Sequence, residues 1–326
     1  MIRLFGPNCP TSLVEAGPLA QIPPEALWVD LLNPTREEEV LAERVLGLDI
    51  PTREEMAEIE PSSRLFQRKG VLFMTASVLH GIKDSKPDTD PIGFILSDKV
   101  LVTVRYVDPR PFVLFAEHLQ SEPDLGANPG EIFMRLLDTI VDRLADELEA
   151  TGREIEAISA QVFSRQTRPS GRQRNPELKL EAVLLRLGAV QRLLAEIRES
   201  AVSTGRMLGF FASSELAAGA EVQRRLDSLQ GDVRGLLDHS NALGDNLTFL
   251  LNASLGLISL EQNFVMKIFS VAAVVLMPPT LIAGIYGMNF EHMPELEWLL
   301  GYPFALGLIL LSAILPYWIA RRRGWL

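Results

Sequence analysis

An uncharged run from Ile268 to Ile285 constrains this chain more than any other feature. It is long enough to cross a bilayer whose hydrocarbon core is about 30 Å thick. A plain lipid anchor is apolar on every side, and this segment is not. Asn263, Met266, Ser270, Ala273, Met277, Thr280, Gly284 and Gly287, taken at steps of three and four, fall on one stripe of a slightly underwound helix. They are the small, polar or flexible members, while Ile268, Phe269, Val274, Val275, Leu276, Leu281 and Ile282 hold the other faces. Such a stripe serves close helix packing or the lining of a water-filled path. At intervals of seven upstream of Met266 stand Ser259, Asn252, Asp245 and Asp238, and a companion row from Asn263 adds Gly256 and Phe249. Packing accounts for small residues well and for a ladder of Asp, Asn, Ser and Thr less well.

At 326 residues the chain holds a sizeable soluble part besides this segment. Its net charge of −11 argues against a nucleic-acid partner, because phosphate binding needs clustered Lys and Arg. Cys9 is the single cysteine, which excludes an internal disulfide and a thiolate cluster for a soft metal. The first residues lack the apolar core of a signal peptide, so the soluble part is expected in the cytoplasm. No GxxxxGK[ST] or GxGxxG loop occurs, so nucleotide hydrolysis is not expected, and neither is an enzyme or an organic cofactor.

The predicted fold class is α+β. Residues 1–125 read as a cytoplasmic α/β domain. Within it, Leu27 to Leu31 is a strand candidate, and Thr35 with Glu38, then Thr52 with Glu55, fit capping boxes. Gly70 to Leu79, Ile92 to Leu96 and Val100 to Tyr106 have the β-branched, alternating character of strands. Between them Lys83 to Pro91 reads as a polar connection holding Asp84, Asp88 and Asp90, either a cation site or an ordinary acidic loop. Residues 126–260 read as helical. Ile132, Leu136, Ile140, Leu144, Leu148, Ile155 and Ile158 mark one amphipathic helix, and Leu178 to Met207 forms a second. A third begins near Glu221 and meets no proline before Pro278. At about 1.5 Å per residue it reaches roughly 80 Å, a stalk that runs into the membrane. Its early aspartates, Asp227 and Asp232 among them, suit a solvated face or a divalent-ion site.

The stalk end and first span occupy 261–289, a loop 290–301, a second span 302–320, and a basic tail 321–326. The loop has no Lys or Arg and carries Glu291, Glu295 and Glu297, whereas Lys267 precedes the first span and Arg321 to Arg323 follow the second. By the positive-inside rule both termini face the cytoplasm. Pro278-Pro279, lacking backbone donors, is expected to bend the first span.

Tyr286-Gly287-Met288-Asn289 followed by Met293-Pro294-Glu295-Leu296 resembles the YGMN signature and MPEL loop of the CorA magnesium channels. The likeness extends to Pro278-Pro279-Thr280, Gly301-Tyr302-Pro303 and the basic tail, and so covers the last quarter of the chain. It implies a funnel-like homopentamer in a bacterial inner membrane whose first spans line a pore for Mg²⁺, with Co²⁺ and Ni²⁺ as further cargo. Magnesium between cytoplasmic domains is then both cargo and regulator. On this reading Tyr286, Gly287, Met288 and Asn289 form the selective entrance, and Glu291, Glu295 and Glu297 gather cations at the mouth. Asn252, Ser259, Asn263, Met266, Ser270, Ala273, Met277, Thr280 and Gly284 line the pore, with Met266 and Met277 as apolar rings. Asn289 offers a carbonyl to a hydrated hard ion, and it also suits a helix C-cap. Gly287 is expected to supply a turn that other residues resist. Two other readings stay open: a zinc transporter of the related ZntB type, which four histidines and one cysteine do not favour, and a membrane-tethered sensor.

Overall fold

The computed structural model describes residues 1–6, 9–14, 22–58, 60–82, 86–121, 128–163, 176–288, 293–294 and 298–323. It divides into two compact units: Met1–Arg174 with Glu181–Leu250, and Leu251–Leu326 with Asn175–Leu180.

The first unit is built on a seven-stranded sheet. Its strands are β1 (Ile2–Gly6), β2 (Cys9–Val14), β3 (Trp28–Leu32), β4 (Leu65–Arg68), β5 (Val71–His80), β6 (Asp88–Leu96) and β7 (Leu101–Arg105), in the order β2-β1-β3-β7-β6-β5-β4. Only β3 and β7 run parallel. The central strands are buried on both faces, as strands covered by helices must be. One face meets α1 (Arg36–Leu46) and α2 (Arg53–Met56) through Leu31, Leu41, Met56, Ile95 and Val104. Both helices open on the expected capping boxes, with Thr35 and Thr52 each accepting the N–H three residues on and Glu38 and Glu55 returning the bond. Such caps are worth about 1 kcal/mol each.

The other face carries four helices: α4 (Arg110–Ser121), α5 (Pro129–Phe163), α6 (Pro176–Ala212) and the start of α7 (Ala220–Tyr286), with the short α3 (Pro61–Arg64) leading into β4. All seven apolar residues that mark α5 in the sequence are buried. On α7, Leu226, Val233, Ser240 and Leu247 recur at sevens and are buried, as are Leu229 and Leu250. A strict 3.5-residue repeat is the signature of coiled-coil packing.

A polar network sits inside this core. Arg105 donates from Nε and a terminal nitrogen to the two oxygens of Asp30, at 2.9 and 2.8 Å, with both side chains 1 % exposed. Thr103 donates to Asp30 at 2.8 Å, Trp28 Nε1 to Thr103 at 2.9 Å, and Arg105 also reaches Asp108 and the Val107 carbonyl. Burial alone would lower the Arg105 pKa, but Asp30 and Asp108 more than offset it and raise the pKa above the usual arginine value. Removing one member of such a pair leaves a buried charge, at a cost of about 3–5 kcal/mol.

Two expectations change. The polar stretch before Ile92 is not a loop throughout, because β6 begins at Asp88 and Asp88 to Pro91 pair with His80 to Ser77. There β6 has run past its register with β7, which starts at Gly93, so a proline is tolerated on the open side. The strands β1, β2 and β4 and the helix α4 add to the elements expected from sequence patterning. The strands are short, and β1 owes its place to pairing with β2 and β3.

Candidate functional site: the exposed stripe of α7

The second unit contains two helices long and apolar enough to cross a membrane, the later part of α7 and α8 (Gly301–Arg322). α7 continues as one helix through Pro278 and Pro279 to Tyr286. Neither proline has an N–H, so the carbonyls of Val274 and Val275 lose their intrahelical donors. The Thr280 hydroxyl donates to the Met277 carbonyl at 2.8 Å and leaves its lone pairs free to accept.

Within this unit, Asn252, Ser259, Asn263, Met266, Ser270, Ala273, Met277, Thr280 and Gly284 are all exposed in the single chain. Met266 is 63 % and Met277 69 % exposed, much as Phe269, Leu276 and Leu281 on the other faces are, at 68, 62 and 64 %. α8 covers a different side. Val271 is buried and lines a cleft with Val275, Ile319 and Ala320. Val271 and Val275 keep the heptad register of the buried residues Leu229 and Leu226. With about 3.5 residues per turn, that register lies roughly 150° around the helix from the polar stripe. Between Ile268 and Ile285 Val271 is the one buried residue, on the side away from the stripe, while Phe269, Leu276 and Leu281 on the other faces are as exposed as the stripe itself. Ser270 borders both the stripe and the α8 cleft.

At the end of α7, Tyr286 is partly buried, and Gly287 and Met288 donate their N–H groups to Ala283 and Ile285 at 3.0 and 3.2 Å. Gly287 is not among the glycines with positive φ, so the turn expected of it does not use left-handed backbone. A Cβ there would lie 3.1 Å from the Ala283 oxygen to which the Gly287 N–H bonds, so a larger residue requires a shift of a few tenths of an ångström in that turn. Asn289, Glu291, Glu295 and Glu297 lie outside the described residues.

The regulatory candidates do not converge in one chain. Asp84 lies outside the described residues, Asp88 accepts the Thr89 N–H, and Asp90 pairs with His80 at 2.8 Å. Asp227 is exposed on α7. Asp232 faces Asp142 of α5, whose carboxyl is pushed above its ordinary range by crowding away from water and by the charges of Asp138, Asp146 and Asp232. The Asp138, Asp142 and Asp146 row forms no recognised motif, although its spacing of four places it on one helix face. Among the described residues no three His, Cys, Asp or Glu side chains are grouped to hold a metal ion.

The model of the family described as CorA-like Mg²⁺ transporter protein matches residues 25–322. The magnesium transport protein CorA of Yersinia pseudotuberculosis serotype I (strain IP32953) is 32 % identical over 301 residues, 92 % of each chain. Among solved structures, the complete CorA magnesium transporter of Methanocaldococcus jannaschii aligns with a TM-score of 0.77 at 18 % identity, covering 100 % of this chain and 98 % of that one. The ZntB cytoplasmic domain of Vibrio parahaemolyticus RIMD 2210633 is more distant, with a TM-score of 0.51 at 10 % identity over 77 % of this chain and 97 % of that one.

Proposed function

This chain belongs to the CorA-like Mg²⁺ transporter family, and from that premise we propose that it passes Mg²⁺ down its electrochemical gradient through a path enclosed by several copies of α7. The observation that carries the reading is the alignment of small and polar side chains from Asn252 to Gly284 on one exposed face of α7, distinct from the side where Val271 is buried beside α8. Two spans per chain are too few to surround a water-filled path, so copies related by an axis must bring their stripes together. The family resemblance supplies the number, five. In this arrangement Asn263 and Thr280 offer oxygens to a hydrated ion. Met266 and Met277 form rings that close the path by excluding water.

Gly287, Met288 and Asn289 act at the entrance, where carbonyl oxygens accept hydrogens from the waters that Mg²⁺ gives up reluctantly. Glu291, Glu295 and Glu297 raise the local cation concentration. The spans cross the bacterial inner membrane with both termini inside, in keeping with Lys267 and Arg321 to Arg323 at one end of the pair. No energy coupling is required, since two positive charges moving inward gain about 4.6 kcal/mol per 100 mV. Co²⁺ and Ni²⁺, similar hydrated divalent ions, share the path. Cytoplasmic Mg²⁺ holds it shut by bridging acidic side chains of neighbouring chains, with Asp227, Asp232, Asp88 and Asp90 as candidates together with Asp142.

Flux into vesicles reconstituted with the full chain tests the proposal. Mg²⁺ uptake is expected, with competition by Co²⁺ and Ni²⁺. Asn289→Ala is expected to reduce it to near background in an assembly of unchanged size, and wild-type uptake by that variant would refute the entrance role. Zn²⁺ flux without Mg²⁺ flux would point to the zinc branch, and no flux at all from well-assembled protein to a tethered sensor.

A further inference from the structure

Between α7 and α8 the second unit has an apolar cleft of about 200 Å³. Its walls are Val271, Val274 and Val275 on one side and Pro316 and Ala320 on the other, with Arg323 at one end. The packing that makes it is local. Val271 and Ala320 are both buried and line the cleft together with Val275 and Pro316. Arg322, next in sequence to Arg323, is turned elsewhere: its guanidinium lies 4.0 Å over the Trp318 ring. Arg323 is the one charged residue that lines the cleft, and Lys267 lies one helical turn before Ser270, another lining residue.

An apolar slot whose one charged lining residue is an arginine, its stem along the wall and its charge free to reach water, suits a ligand with an apolar chain and an anionic head. An aqueous anion has no use for the slot, and a neutral lipid has none for the arginine. We propose that this cleft seats one acyl chain of an anionic phospholipid, whose phosphate pairs with Arg323. A planar fork of donors matches phosphate oxygens, and basic residues next to a span attract anionic lipid. The proposal rests on the two-span membrane reading but not on transport. The slot is walled by the two valines whose carbonyls Pro278 and Pro279 leave without donors, so an occupant there props the weakest stretch of α7.

Native mass spectrometry of the full chain, purified from vesicles of phosphatidylcholine mixed with phosphatidylglycerol, reads the site without any flux. The wild type is expected to retain phosphatidylglycerol in preference to phosphatidylcholine. Arg323→Glu is expected to lose that preference, and Ala320→Phe, which fills the slot, to lose retained lipid while the oligomer keeps its mass. Equal retention of the two lipids by the wild type, or an undiminished preference in Arg323→Glu, overturns the proposal. Dissociation of the oligomer by Ala320→Phe also overturns it, since the cleft then belongs to contacts between copies.

Discussion

Asp142 carries a charge in the wrong company. It is open to solvent on one side, yet partial removal from water, and after it the charges of Asp138, Asp146 and Asp232, raise its pKa. The folded chain holds its proton more tightly than the unfolded chain, for which the ordinary value is 3.8. Its penalty is therefore absent well below that pH and develops as pH rises through the raised folded value. Asp142→Asn is expected to stabilise the protein at neutral pH and to lose its advantage in acid. The gain is of the order of 0.2–1 kcal/mol, as for other exposed charge pairs. Thermal melts of wild type and variant across pH measure it, and a constant difference at all pH values would remove the electrostatic cause. Asp30 presents the opposite case. It reads as an ordinary strand residue in Trp28 to Leu32, and nothing near it in sequence announces that Arg105, 75 positions away, will neutralise it in the core.

At the scale of the element, α7 is one helix with two uses. In the first unit its buried residues Leu226, Val233, Ser240 and Leu247 recur at sevens, and in the second the small and polar residues from Asn252 to Gly284 hold a different register. The small and polar register is legible in the sequence, because a helix keeps every residue's angle fixed relative to its neighbours, whereas the buried one emerges with the structure. Met277 sits on the uncovered side between Ala273 and Thr280, where copies would present it as a ring. Met277→Asp is expected to let cations leak or to change their selectivity, since a charged ring wets a constriction. Flux in vesicles without a magnesium gradient checks this, and a variant that fails to assemble would assign Met277 to helix packing.

At the scale of the whole molecule, aspartates brought together within and between chains repel, and a divalent ion between them offsets that repulsion. Under the proposed assembly, its removal is expected to let the first units of neighbouring copies separate and so move an element that bears on the proposed path. Limited proteolysis of the detergent-solubilised protein is therefore expected to be slower with Mg²⁺ than with EDTA, and the difference to shrink when Asp142 and Asp232 are changed to Asn. Protection should appear near millimolar Mg²⁺, a binding energy of about −4 kcal/mol, weak enough for a reversible switch. Identical cleavage patterns would leave the chain without magnesium feedback and leave the transport reading intact.

The sequence by itself determined what depends on neighbouring residues: two apolar spans, the capping boxes at Thr35 and Thr52, the apolar face of α5, and the stripe along α7. Helical angle and membrane thickness convert such patterns directly into structure. Tertiary structure decided what depends on distant residues: the order of the sheet, the strand that claims Asp88 and Asp90, and the Asp30–Arg105 pair. It also decided the meeting of Asp142 with Asp232 and the side of α7 that α8 covers. Those outcomes turn on where the backbone returns after many residues. They are fixed by the combined burial of both faces of the sheet rather than by any local pattern.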